Sequence, residues 1–287
     1  MYSMPLFRPP SEARSLIIQV TEGCSHNKCR FCYMYKCKQF RLKSKEELIE
    51  HIDELKSYYQ ETERIFLADG NVLCLETEKL IELLNFIKSE FPMVKRISSY
   101  SGPLDIIKKT DDELKLIRES GLELLYMGVE SGSDKVLSIM QKGVNQHQMI
   151  EAGQKAIKAG FKFSCMIISG LGGVEHMEEH ALESAKVISN INPHYFSLLR
   201  LVVEEESELA EDIRQGKFHL LTPLQVLDEN IMMLENMELE NCTFRANHVS
   251  NYVNQAGILN KDRDMLVARL KKFRDSNNFI PMGNDRL

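Results

Sequence analysis

Apolar residues along this chain follow two alternating rhythms. Short, β-rich apolar runs at Arg14 to Thr21, Arg64 to Asp69, Lys95 to Ser101, Glu123 to Val129, Lys162 to Ile168 and Tyr195 to Val203 predict six buried strands. Between them lie amphipathic stretches. Lys45 to Tyr59 places Leu48, Ile49, Ile52 and Leu55 on one face, and further helices are predicted over Thr77 to Phe91 and Glu178 to Ile191, with another ending near Gly160. A helix before the fourth strand opens on Thr110-Asp111-Asp112-Glu113, a capping-box signature, and Gly121 is its C-cap candidate. Six β-α units joined by right-handed crossovers predict an α/β fold with a parallel sheet and helices outside. The sheet is either open and doubly wound or curved into a full or partial barrel; in each case chemistry belongs at the C-terminal ends of the strands.

After residue 203 the alternation stops. An acidic run (Glu204 to Glu206, then Glu208) leads to helices near Pro223 to Met237 and Lys261 to Phe273, with a short strand at Cys242 to Ala246. The expected organisation is a βα domain over 1–203 and a small, mostly helical C-terminal extension over 204–287, packed on the same domain as a lid or buttress.

Composition removes several classes. The 287 residues are 43% hydrophobic and 27% charged, an ordinary globular balance. Thirty-six basic against 42 acidic side chains leave a net charge of −6, which opposes a surface given over wholly to nucleic acid while leaving room for a local basic patch. The opening MYSMPLFRPP has no apolar core of signal-peptide length, and no apolar stretch approaches a bilayer span, so a cytoplasmic chain without membrane contact is expected. Seven cysteines, an odd number, point to thiols or metal ligands rather than a disulfide framework.

Three of those cysteines, Cys24, Cys29 and Cys32, stand in TEGCSHNKCRFC just after the first strand, as C-x4-C-x2-C. Three thiolates within one short polar loop can wrap a metal centre, and Lys28 and Arg30 favour the thiolate form. The spacing admits three occupants. Zinc would recruit Cys37 as a fourth ligand, giving a stabilised, non-catalytic RNA-binding module whose basic residues (Lys28, Arg30, Lys36, Lys38, Arg41, Lys43, Lys45) face nucleic acid. A two-iron cluster would make an electron carrier and needs a fourth cysteine, Cys37 or Cys74. A four-iron cluster on three cysteines leaves one iron open, and the position at the end of the first strand of a βα array favours it.

On these residues the chain resembles the radical S-adenosylmethionine (SAM) superfamily. The aromatic Phe31 precedes the last cysteine, as in the family motif, with one extra residue between the first two cysteines. The second strand ends Ala68-Asp69-Gly70-Asn71, where the family has a turn binding the amino group of the cofactor's methionine. The fourth ends GVESGSDKVL, like the branch of anaerobic coproporphyrinogen oxidase and the tRNA methylthiotransferases, and the fifth runs into Gly170-Leu171-Gly172-Gly173, like that branch's turn beside the adenine. The resemblance covers about Ser15 to Val203 and implies a partial (β/α)6 barrel.

It further implies a [4Fe-4S] cluster on Cys24, Cys29 and Cys32 with S-adenosylmethionine as co-substrate, and an oxygen-sensitive enzyme. Phe31, Asp69, Gly70, Asn71, Glu130, Ser131, Lys142, Gly170 and Gly172 would line the cofactor. Glu130 would meet the ribose hydroxyls or methionine moiety, and Lys142 the carboxylate, although a surface lysine or, for Asp69 and Asn71, an Asx turn explains the same residues structurally. The implied chemistry is one-electron reductive cleavage to a 5′-deoxyadenosyl radical that takes hydrogen from a substrate. An external reductant of ferredoxin or flavodoxin type would supply the electron. No second cysteine-rich module or added RNA-binding domain is visible, which favours a small molecule over nucleic acid as substrate. Tyr100, Arg245, His248 and Asn251 are candidate substrate contacts. His176-Met-Glu-Glu-His180 matches the inverted zinc-peptidase pattern H-x-x-E-H, but an outer helix with solvent-facing charge explains it more simply.

Overall fold

The computed structural model describes residues 2–276. Its elements run β1 (Leu16–Gln19), β2 (Thr21–Glu22), β3 (Arg41–Leu42), α1 (Lys45–Tyr59), β4 (Arg64–Ala68), α2 (Thr77–Glu90), β5 (Arg96–Tyr100), α3 (Pro103–Lys108), α4 (Asp111–Glu119) and β6 (Leu122–Glu130). They continue with α5 (Asp134–Ile139), α6 (Gln146–Lys158), β7 (Lys162–Ser169), α7 (Met177–Ile191), β8 (Tyr195–Arg200), α8 (Glu208–Arg214), α9 (Pro223–Glu235), β9 (Cys242–Ala246), β10 (Gln255–Leu259) and α10 (Arg263–Arg274). The strand order of the main sheet is β1-β4-β5-β6-β7-β8-β9-β10, with β1 and β10 at its two ends. Parallel pairing joins β1 to β4, β4 to β5, β5 to β6, β7 to β8 and β8 to β9. The six strands of the expected partial (β/α)6 barrel are therefore β1 and β4 to β8, and the fold class is α/β.

Local chemistry accounts for the helices. Ser44 caps α1 by accepting from the Glu47 amide while Glu47 reaches back to the Ser44 amide, and Leu48, His51, Ile52 and Leu55 are its buried face. Thr110 and Glu113 close the same reciprocal box on α4, and Gly121, at φ +122°, follows that helix where an L side chain would be strained. Thr222 and Gln225 form a third box on α9, with Pro223 opening the helix. β6 is buried at six of its nine positions, as a strand covered on both faces should be.

Two compact units share these elements. The first holds residues up to Asn27, Met34–Met127 and Lys155–Phe163; Ile18, Ile65, Phe66, Leu84, Leu114 and Leu125 are fully buried in it. The second holds Lys28–Tyr33, Gly128–Gln154 and Ser164 onward. Its core includes Phe196 and Phe244, stacked at 5.7 Å, with Leu227, Leu234 and Leu266 fully or almost fully buried.

The extension differs in part from its sequence-based outline. β9 joins the sheet in parallel, and β10, which the pattern does not announce, pairs with it antiparallel over Gln255 to Leu259. Among the described residues, those from Ser164 to 276 belong to one unit. The last part of the expected extension, residues 277–287, lies outside the described residues. Among the described residues no helix is long and apolar enough to cross a membrane.

Candidate active site

The cysteine loop leaves the sheet through a closed neck. β2 and β3 pair antiparallel, Thr21 with Leu42 and Glu22 with Arg41, so residues 23–40 form an excursion tied at its base. Arg41 bridges Glu22 at 2.5 Å and Glu47 at 2.9 Å, joining the neck to the first turn of α1. Within the first unit the loop's opening residues are latched to the turn after β4. The Asp69 amide donates to the Thr21 carbonyl, and the Gly70 amide to the Gly23 carbonyl at 3.1 Å. A Cβ on Gly70 would stand 2.9 Å from the Cys24 Cα, so only glycine lets the turn lie against that cysteine.

The Asp69 side chain is the centre of this latch. It is fully buried, and its Oδ2 accepts from the Gly23 amide at 2.9 Å, Lys38 Nζ at 2.9 Å and Gln19 Nε2 at 3.0 Å, while Oδ1 has no partner. Lys38 Nζ also donates to the Ser3 carbonyl at 2.6 Å. This carboxylate, expected to line the cofactor, also holds the start and end of the cysteine loop. Asn71 is likewise occupied: its Oδ1 accepts from the Leu73 amide, the Asx turn, and its Nδ2 donates to Asp105 at 2.5 Å. The Cys74 thiol donates to the Asn71 carbonyl at 3.0 Å, and burial, reinforced by Asp105, pushes its pKa up to about 11.

Cys29 and Cys32 belong to the second unit, where their neighbours Arg30 and Phe31 anchor the segment. Arg30 reaches Asp212 at 2.5 Å and Glu208 at 3.4 Å on α8, and its amide donates to the Met140 carbonyl at 3.0 Å. Phe31 packs on an apolar cluster that includes Met140, Leu171, Leu201 and Leu209. The role of α8 as a clasp for the cysteine segment has no local sequence signal beyond its acidic residues. Cys24, Cys29 and Cys32 are all half-buried, whereas Cys37 is exposed. Among the described residues no three His, Cys, Asp or Glu side chains gather closely enough to hold a single metal ion.

The basic residues of this region are largely engaged. Besides Arg30, Lys38 and Arg41, Lys36 donates to the Asn27 carbonyl at 3.2 Å, Lys45 lies 3.4 Å from Glu82, and Lys43 is half-buried with its pKa lowered by burial. Lys28, Lys36, Arg41 and Lys45 are nonetheless exposed.

At the end of β6, Glu130 takes φ +65° and folds back over Gly128 to meet Lys142 Nζ at 3.1 Å; both side chains are only 14% exposed. A Cβ on Gly128 would stand 1.9 Å from Glu130 Oε1, so this glycine makes the fold-back possible. The structure thus brings together the two residues expected separately. Ser131 is fully buried, with its hydroxyl 2.8 Å from His180 Nδ1 and accepting from the Ser133 amide at 3.1 Å, so its side chain serves the turn. His180 is fully buried with a pKa lowered to about 4 by burial, so it is not the solvent-facing charge that the outer-helix reading expects. Gly132 admits α7: a Cβ there would stand 2.2 Å from the Glu183 carbonyl.

The glycine turn after β7 is held from three directions. Gly170 has φ +86° and donates its amide to Glu229 Oε2 at 2.7 Å, and the preceding Ser169 donates its hydroxyl to Asn230 Oδ1 at 2.5 Å. Gly172 abuts the start of α7, where a Cβ would lie 2.8 Å from the His176 carbonyl. Glu229 is a fully buried carboxyl whose pKa burial pushes up to about 8. Sequence reasoning missed it.

The four candidate substrate contacts separate. Tyr100 packs edge-on against Phe66 at 5.2 Å and near Tyr126 at 6.3 Å. Asn251 is buried and donates to the Leu198 carbonyl at 2.8 Å, and His248 Nδ1 meets the Ser250 hydroxyl at 2.8 Å, so both shape the loop after β9. Arg245 is exposed, its guanidinium 5.7 Å from the centre of the Tyr195 ring.

Comparison with known proteins extends this geometry. The Radical SAM superfamily model matches residues 18–185. The heme chaperone HemW of Bacillus subtilis is 23% identical over 177 residues, 61% of this chain and 46% of that protein, so the chain spans about half its length. A putative methylthiotransferase of Methanocaldococcus jannaschii is 22% identical over 302 residues, covering 96% of this chain and 66% of that one. In fold, the chain is similar to coproporphyrinogen III oxidase (HemN) of Escherichia coli, with a TM-score of 0.57 at 18% identity over 77% of this chain and 52% of that one. Methylornithine synthase (PylB) has a TM-score of 0.54 at 18% identity over 90% and 81% of the two chains.

Proposed function

This chain belongs to the radical SAM superfamily, and from that premise we propose that Cys24, Cys29 and Cys32 hold its cluster while the turns after β4, β6 and β7 receive the cofactor. The family's enzymes work with a [4Fe-4S] cluster and S-adenosylmethionine and draw their electron from an external reductant. The donor set suits it: three half-buried cysteines on one loop, with a neck that fixes where the loop begins and ends. When bound, the cluster and cofactor supply a 5′-deoxyadenosyl radical that abstracts hydrogen from the substrate.

The chain's own residues orient that chemistry. The backbone of residues 68–70 offers carbonyls to the methionine ammonium, and the buried Asp69 carboxylate keeps that turn against Cys24. Glu130 and Lys142 present a carboxylate and an ammonium side by side, suited to ribose hydroxyls and the methionine carboxylate. Gly170 and Gly172 let backbone approach the adenine. Tyr100, Arg245, His248 and Asn251 remain the candidate substrate contacts, and we infer a small molecule as substrate. The reductant is of ferredoxin or flavodoxin type. The single observation that carries the reading is the latch of the cysteine loop onto the strand-end turn through Asp69 and Gly70.

Anaerobic iron and sulfide reconstitution, followed by electron paramagnetic resonance with and without S-adenosylmethionine and chromatography for 5′-deoxyadenosine, tests it. The expected result is a four-iron signal that shifts with the cofactor, and deoxyadenosine formation lost in Cys29→Ser. Tight zinc, or a two-iron signal indifferent to S-adenosylmethionine, would replace the enzyme with a structural or electron-carrying protein.

A further inference from the structure

Glu229 and Asn230 are neighbours on α9, and both face inward, Glu229 at 0% and Asn230 at 9% exposure. They grip two consecutive residues at the end of β7: Glu229 the Gly170 amide at 2.7 Å, Asn230 the Ser169 hydroxyl at 2.5 Å. The second oxygen of Glu229 is buried and has no partner. Stability alone is a poor reason for such a group. An apolar side chain of similar size would fill the same layer without the cost of desolvating a carboxyl. What the acid does, and methionine cannot, is hold one particular amide.

That amide lies where the chain leaves β7. Gly170 is in the left-handed region at φ +86°, so its N–H direction sets the course of the turn. Two further turn bonds are internal, from the Leu171 amide to the Ile168 carbonyl at 3.2 Å and from the Gly173 amide to the Gly170 carbonyl at 3.1 Å, and just beyond the turn the Val174 amide donates to the His219 carbonyl at 2.9 Å. Gly172 is confined by the start of α7. The Gly170 amide is therefore the point at which a side chain from the C-terminal extension fixes the turn.

We propose that Glu229, assisted by Asn230, is a positioning residue for the nucleoside end of the cofactor: through Gly170 it holds the glycine turn in the shape that receives adenosine. The proposal rests on the reading of Gly170 and Gly172 as the adenine-side turn. It gives α9 a task in cofactor binding although none of its residues touches the ligand.

The test is equilibrium dialysis of S-adenosylhomocysteine against the reconstituted full-length chain. Glu229→Gln keeps an acceptor for the Gly170 amide and is expected to bind within about twofold of the parent, whereas Glu229→Met loses the hydrogen bond and is expected to bind about tenfold more weakly. Iron content, the four-iron resonance and the unfolding midpoint should be unchanged or, for the midpoint, higher in Glu229→Met, which separates positioning from mere folding. Affinity of Glu229→Met within twofold of the parent would overturn the proposal. Should Glu229→Met fail to fold, Asn230→Ala carries the same test, with about threefold weaker binding expected and parental affinity overturning it. If the parent itself does not bind S-adenosylhomocysteine, the cofactor reading falls and this inference with it; if the parent binds and the variants match it, only the positioning role falls.

Discussion

Asp69 in the first unit and Glu229 in the second are both fully buried carboxyls, both hold a backbone amide at the end of a strand, and both leave one oxygen without a partner. They differ in company. Asp69 gathers three donors on one oxygen, including the ammonium of Lys38, whose side chain is only 5% exposed. Glu229 takes a single amide, and its burial pushes the pKa up to about 8. The first arrangement ties several segments together through an ion pair that must stay intact. The second holds one peptide group by an acid that keeps its proton near neutrality.

The largest effect should come from breaking the ion pair on one side. Asp69→Leu leaves the Lys38 ammonium buried without its counter-charge, and urea denaturation should show a loss of about 3–5 kcal/mol. Adding Lys38→Met should restore much of that loss, because the unpaired charge then disappears. A double variant no more stable than Asp69→Leu alone would mean that Lys38 is not the source of the cost.

Glu229 predicts a pH signature instead. The folded carboxyl keeps its proton up to about pH 8, while an unfolded one releases it near its ordinary value of 4.5. Between those values the folded state binds more protons, so this group's contribution to stability falls as pH rises through the window and is flat outside it. Comparing parent and Glu229→Gln from pH 5 to pH 8 should expose a difference of about 3 kcal/mol across the range, with the parent losing stability faster. Parallel curves would show that Glu229 is ionised throughout.

The smallest change expected is for a neutral donor. Gln19→Met removes the Gln19 bond to Asp69 at 3.0 Å and its two bonds to Ser3, at 2.8 and 3.0 Å, but no charge. A loss of about 1–2 kcal/mol by the same denaturation is expected. A loss as large as that of Asp69→Leu would show that the ion pair is not what distinguishes the two carboxyls.

Legibility followed the range of the interactions. The capping boxes at Ser44 and Thr110 and the alternation of strands and helices are local, and the pattern placed α1 at Lys45–Tyr59, as observed. β10 escaped because Gln255 to Leu259 is short and carries a glycine, so nothing marks it as a strand until β9 lies beside it. The pairing of Lys38 with Asp69 joins residues far apart in sequence, and a lysine in a basic run reads as solvated. Glu229 could have been found: Val226, Leu227, Asn230, Ile231, Met233 and Leu234 around it are all buried. A helix with so wide an apolar surface leaves an acid on that face nowhere to be solvated.

The neck formed by Glu22 and Arg41 has a consequence for how such loops diversify. Because the two ends of residues 23–40 are paired to each other, the path length between them is separated from the geometry of the sheet. One residue more in a closed loop of this size costs less than about 0.1 kcal/mol in closure entropy. In closure entropy alone, the extra residue of the C-x4-C spacing is thus a nearly neutral edit to this loop.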